Sequence, residues 1–162
     1  MIVVADATPI RHLEVIGELH IPHILYGEII IPHTVHSELP RHSTPERVRL
    51  LIQNPPSWLQ TRRASKINEP DLMPLHPGER EAIALATELT AELLIVDDRA
   101  GLKVAKARGL PVIQTLTVME AADGRGLLPD FRSTLDALRA SGFYISEKLY
   151  VSVLQRHRDR HR

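Results

Sequence analysis

Four short runs of this chain are apolar at every position: Ile2-Val3-Val4-Ala5, Ile29-Ile30-Ile31, Leu93-Leu94-Ile95-Val96 and Val112-Ile113. A strand with one face in water alternates apolar with polar residues, so strands that are apolar throughout demand cover on both faces. Helical patterns, with apolar residues three and four apart, separate the runs. One spans Pro9 to Gly17, with Ile10, Leu13 and Ile16 on a single face, and a second spans Leu19 to Tyr26. Others run from Thr34 to Leu39, from Pro45 to Gln53 with Thr44 as N-cap, from Gly78 to Thr90, and from Arg99 to Arg108, where Gly109-Leu110-Pro111 breaks the pattern. Trp58-Leu59-Gln60-Thr61 reads as an edge strand and 63–77 as a polar surface loop, and helices around 116–123, 130–141 and 146–156 close the chain. Short buried strands alternating with helices predict an α/β fold, a three-layer α/β/α sandwich around a mainly parallel sheet.

With 162 residues, 43% hydrophobic and 25% charged, the chain has the size and make-up of one globular domain. The reading is a single domain over 1–156 with a basic tail over 157–162. The absence of cysteine excludes a disulfide framework and a thiolate zinc site. The apolar run from Met1 is cut short by Asp6 and lacks a basic leader. No stretch reaches the roughly 18 apolar residues of a spanning helix. A cytoplasmic protein without a membrane segment is expected. The formal net charge is zero, so any nucleic-acid binding must come from local patches. Arg62, Arg63, Lys66 and the terminal arginines are the cations for such a patch.

The chemistry follows from where carboxylates fall. Asp6 ends the first strand and Asp97-Asp98 end the Leu93–Val96 strand. The carboxyl ends of parallel strands open onto one edge, where ligand crevices form. Glu38 lies a short helix beyond the Ile29–Ile31 strand and is expected at the same edge. In the Gly78–Thr90 pattern, Glu79, Ala82, Ile83 and Ala86 share a face, which turns Glu79 inward, whereas Glu81 falls near Glu88 and is expected in solvent. Ionised carboxylates about 5 Å apart repel by roughly 3 kcal/mol per pair at an effective dielectric near 20. A divalent cation relieves that repulsion, and all-oxygen ligation selects Mg²⁺ or Mn²⁺ over Zn²⁺. Each acid also has a plainer reading. Asp6 and Asp98 precede helices and are placed to cap them, Glu79 in a first turn suits the helix dipole, and Glu38 reads equally as a partly exposed helix residue. Thr8, Thr115 and Thr117 sit near strand ends, where threonine serves turns and caps. Among the nine histidines, His20-x-x-His23 and His33-x-x-His36 complete no zinc spacing, and no HExxH occurs. The tail Arg156-His-Arg-Asp-Arg-His-Arg162 reads as a frayed helix end or as a phosphate-touching arm.

Several segments, in order, resemble PIN-domain proteins. Val3-Val4-Ala5-Asp6-Ala7-Thr8-Pro9-Ile10 is similar to their opening motif, with Ala7 where a small hydroxyl residue is usual. Leu25 to Leu39 resembles the second motif, with Glu38 as its acid. Gly78-Glu-Arg-Glu-Ala-Ile-Ala-Leu-Ala86 resembles the third-motif helix, Leu94-Ile-Val-Asp-Asp-Arg-Ala-Gly101 the fourth strand end, and Val112-Ile-Gln-Thr115 the step that follows. Gly142 to Tyr150 looks like the closing segment of a prokaryotic PIN-like family close to the VapC toxins. The resemblance implies a Rossmann-like fold and metal-dependent endoribonuclease activity on RNA, with Mg²⁺ or Mn²⁺ as cofactor. Asp6, Glu38, Glu79 and Asp98 are the implied catalytic acids, and Asp97 competes with Asp98 for the metal. It further implies the toxin half of a type II toxin–antitoxin pair, an antitoxin partner and a homodimer. A catalytically inert RNA- or protein-binding module is the alternative. A haloacid-dehalogenase-type phosphatase needs an aspartate where Thr8 stands.

Overall fold

The computed structural model describes residues 1–35 and 44–162. Five strands form one sheet: β1 (Val3–Ala5), β2 (Ile29–Pro32), β3 (Leu59–Arg62), β4 (Leu93–Ile95) and β5 (Val112–Ile113). Their order is β3-β2-β1-β4-β5 and every pairing is parallel. The described helices are α1 (Ala7–Val15), α2 (His20–Tyr26), α3 (Glu46–Gln53), α4 (Pro77–Glu88), α5 (Arg99–Ala107), α6 (Thr115–Gly124), α7 (Phe131–Ala140) and α8 (Glu147–Arg160).

The apolar strands are covered on both faces, as their composition requires. Val3, Ala5, Ile29, Ile31 and Ile95 point into one core with α1, α2, α3, α6, α7 and α8. Val4, Ile30, Leu94 and Val96 point the other way, into a core with α4 and α5. Successive strand residues face opposite sides, so one three-residue strand supplies both layers of a three-layer α/β/α sandwich. The edge-strand reading of 58–61 becomes β3, whose register pairs Ile29 with Leu59 and Pro32 with Arg62.

Several boundaries differ for local reasons. α3 begins at Glu46 with Pro45, not Thr44, at the N-cap, and no side chain caps it. α1 begins at Ala7, immediately after Asp6. α5 ends at Ala107, and Gly109 takes φ +74, a left-handed turn that lets the chain reverse into β5. A single 3₁₀ turn, Pro70–Leu72, interrupts the 63–77 loop and buries Leu72. The basic tail is not frayed: α8 runs without a break through the boundary read after residue 156 and ends at Arg160. No described helix is long and apolar enough to cross a membrane.

Candidate functional site

The strand order reverses between β1 and β4: the chain leaves β1 for β2 and β3, then returns to the other side for β4 and β5. Loops at the carboxyl ends of β1 and β4 therefore diverge and leave a crevice there. Asp6 emerges from β1 at this point, its N–H donating to the Ile95 carbonyl at 3.1 Å. Its residue is 4% exposed. Although Asp6 occupies the N-cap position of α1, its side chain makes no capping hydrogen bond. That removes the cap as the explanation for a buried carboxylate here.

Asp97 and Asp98 leave β4 with separate tasks. Asp98 caps α5, its Oδ2 accepting the N–H groups of Ala100 (3.0 Å) and Gly101 (3.4 Å). Asp97 turns the other way: Oδ1 accepts the Thr115 N–H at 2.8 Å and Oδ2 accepts the Thr115 hydroxyl at 2.5 Å, at the first turn of α6. Burial pushes the Asp97 carboxyl up, and the two Thr115 hydrogen bonds offset part of that rise. Thr115, one of three hydroxyl residues noted at strand ends, is fully buried and holds Asp97, while Thr8 and Thr117 are exposed.

α4 is the crossover from β3 to β4, so it runs antiparallel to the strands and its first turns lie at the same carboxyl edge. Glu79 is buried, and its carboxylate packs against the start of α5. A Cβ on Gly101 would stand 3.2 Å from Glu79 Oε2 and 3.2 Å from Val96 Cγ2, so glycine is what admits the carboxylate there. Glu81, expected in solvent, is also buried, at 6% exposure, and its Oε1 accepts the Thr34 N–H at 3.1 Å just beyond β2. The amphipathic reading of this helix fails because Ala82 through Ala86 are all buried. A helix apolar on every side is enclosed on every side. The uninterrupted run Ala-Ile-Ala-Leu-Ala carried that signal. Two residues apart on a helix, the glutamates diverge, Glu79 toward the end of β4 and Glu81 toward the end of β2. β1 and Asp6 lie between those strands. Glu38 lies outside the described residues.

Beside Asp97 and Asp98 opens a cleft of about 750 Å³ whose walls include Thr8, His12, Phe143 and Tyr144. His12 is held below its usual value, chiefly by burial and secondarily by Arg11, so it contributes no strong cation. Tyr144, which also lines the cleft, is 84% exposed. The expected cations divide. Arg62 ends β3 at the site edge and Arg63 follows it, its Nη2 3.0 Å from His33 Nε2. Lys66 is tied through its backbone N–H to Glu88 at 2.9 Å. From Glu79 to Glu88 the helix rises roughly 13 Å, which takes Lys66 away from the carboxylates. The terminal arginines are elsewhere too. Arg156 pairs with Glu120 at 2.7 Å and Arg160 with Asp123 at 2.7 Å, toward the end of α6 remote from Thr115.

The carboxylates at this strand edge are oxygen donors of the kind a hard divalent cation takes, but among the described residues no three of them offer ligand atoms within 4.8 Å of one another. Asp6, Glu79, Glu81, Asp97 and Asp98 are the carboxylates placed toward this edge among the described residues. A family model described as a PIN domain matches residues 2–159. No curated protein and no solved structure matches the chain.

Proposed function

Because the chain belongs to the PIN-domain family, whose members are generally nucleases that use divalent metals, we propose that it is a Mg²⁺- or Mn²⁺-dependent endoribonuclease. The observation that carries the reading is the buried Asp6 at the β1/β4 reversal, with the buried Glu79 and Glu81 on the first turns of α4 at the same sheet edge. Bound cation would activate water and stabilise the oxygen leaving a phosphodiester. Asp6 would hold it, with Glu79 and Asp97 beside it and Glu38 as the further acid implied by the PIN resemblance. Asp98, engaged in capping, is the weaker ligand of the pair. Glu81 joins the set on its burial and position. Exposed Tyr144 offers a face on which an unpaired base stacks, and Arg62 and Arg63 offer phosphate contacts.

The same reading makes this the toxin of a type II toxin–antitoxin pair, acting in the cytoplasm on RNA, held by a cognate antitoxin and working as a homodimer. The support for those partners is the likeness of Gly142–Tyr150 to the closing segment of VapC-related chains. Incubating the purified protein with mixed RNA tests the activity. Cleavage is expected with Mn²⁺ or Mg²⁺, lost in excess EDTA, and reduced at least about 100-fold by Asp6→Asn, which keeps the shape and removes the charge that retains the cation. Full activity in EDTA, or in the Asp6→Asn protein, would sink the proposal.

A further inference from the structure

The strongest unassigned chemistry lies at the far end of α6, where three groups distant in sequence meet. Asp123, in the last turn of α6, is 1% exposed. His157 in the last turns of α8 and His161, its C-cap residue four positions on, both turn toward it. His157 Nδ1 lies 2.7 Å from Asp123 Oδ2, and His161 Nε2 lies 2.9 Å from Asp123 Oδ1. One ligand atom from each residue can be chosen so that all lie within 4.8 Å of one another. The imidazoles are 4.7 Å apart, and His157 stacks on Phe131 at 4.9 Å, which fixes its ring. The described members of the two histidine pairs in the sequence have other contacts, and His36 lies outside the described residues. His23 Nδ1 donates to the Gly27 carbonyl and its ring stacks on Trp58, and His33 meets Arg63.

We propose that Asp123, His157 and His161 form a second metal site, for Zn²⁺ or a divalent cation of similar ligand preference, which clasps the C-terminal helix onto α6. Two imidazoles and a carboxylate match that class of ion, whereas the candidate nuclease site offers only oxygen. Ligands around a tetrahedral ion at Zn–N distances of about 2.0–2.1 Å stand roughly 3.3 Å apart. The present separations of 2.7 and 2.9 Å are those of hydrogen-bonded partners, which a small opening converts to ligands. The His161 side chain is 46% exposed, so water reaches the cluster. Arg160 also meets Asp123 Oδ2, through Nη2 at 2.7 Å and Nε at 3.0 Å, and so competes with the cation for that oxygen. Glu120 Oε1 at 3.4 Å gives the guanidinium a second acceptor.

Zn²⁺ titration of the EDTA-stripped, dialysed full chain by calorimetry tests the site. One equivalent of saturable Zn²⁺ binding is expected, with a rise in melting temperature, and X-ray absorption should show imidazole scattering. Asp6→Asn should leave this binding unchanged, which separates it from the nuclease site. His161→Ala, on an exposed side chain, should weaken it more than about tenfold. His157→Gln, which retains a hydrogen-bond donor toward Asp123, should do the same while keeping the metal-free melting temperature. No saturable binding by the parent protein, or equal affinity in both histidine variants, would overturn the site and leave a hydrogen-bonded clasp only.

Discussion

Asp97 and Asp123 stand at opposite ends of α6, both shielded from solvent, and their carboxyls are displaced in opposite directions. Asp97 meets only the neutral donors of Thr115, so desolvation dominates and the acid is held up. Asp123 carries its own desolvation penalty, but hydrogen bonds from His157, Arg160 and His161 outweigh it and the acid is held down. The same residue type at the two ends of α6 is thus completed by charged partners within the chain at one end and met by neutral donors alone at the other. A carboxylate satisfied internally stabilises the fold. One satisfied only by neutral donors gains from an external cation, which is the condition expected of a metal-dependent active site.

The comparison breaks most visibly at Asp123. Asp123→Asn retains the shape but deletes the charge that His157, Arg160 and His161 share, so urea unfolding in EDTA near pH 7 should show a loss of about 1.5–3 kcal/mol. Because the folded-state value is depressed, this stabilisation is complete above the ordinary carboxylate value of about 3.9 and disappears as pH falls through the folded value. The gap between parent and variant should therefore close in acid, and RNA cleavage should survive. A gap that persists unchanged at pH 3 would mean packing, not charge, holds α8.

Asp97→Asn should move stability the other way by a smaller amount. The raised value means that the favourable contribution is complete below about 3.9 and is lost as pH rises through the folded value. The metal-free variant should then melt above the parent near pH 7 and level with it in acid, while RNA cleavage falls. A lower melting temperature near pH 7 would show that the Thr115 hydrogen bonds outweigh the desolvation.

Asp98→Asn is the smallest expected change. Asparagine caps about as well as aspartate, so metal-free stability should shift by no more than a few tenths of a kcal/mol. The sharper reading comes from added Mn²⁺. Equal metal-induced shifts in parent and variant confine Asp98 to capping α5, and a reduced shift in the variant gives it a ligand's part as well.

The order of strands and helices and the placing of Asp6 and Asp97 at strand ends were legible in the sequence, because both rest on local rules. An apolar run too short and too continuous for a one-sided strand must be sandwiched, and the residue that follows it must emerge at an edge. Glu79 was likewise legible from helical spacing. What the pattern concealed were properties of neighbours. Helical spacing alone puts Glu81 in solvent, because its burial depends on what encloses α4 on its second side. The division of labour between Asp97 and Asp98 depends on Thr115 arriving from beyond β5. The cluster of Asp123 with His157 and His161 joins residues on two helices that only docking brings into contact. Periodicity records which face of an element is apolar; which partner meets that face, and which charge waits there, is a long-range matter that packing alone decided.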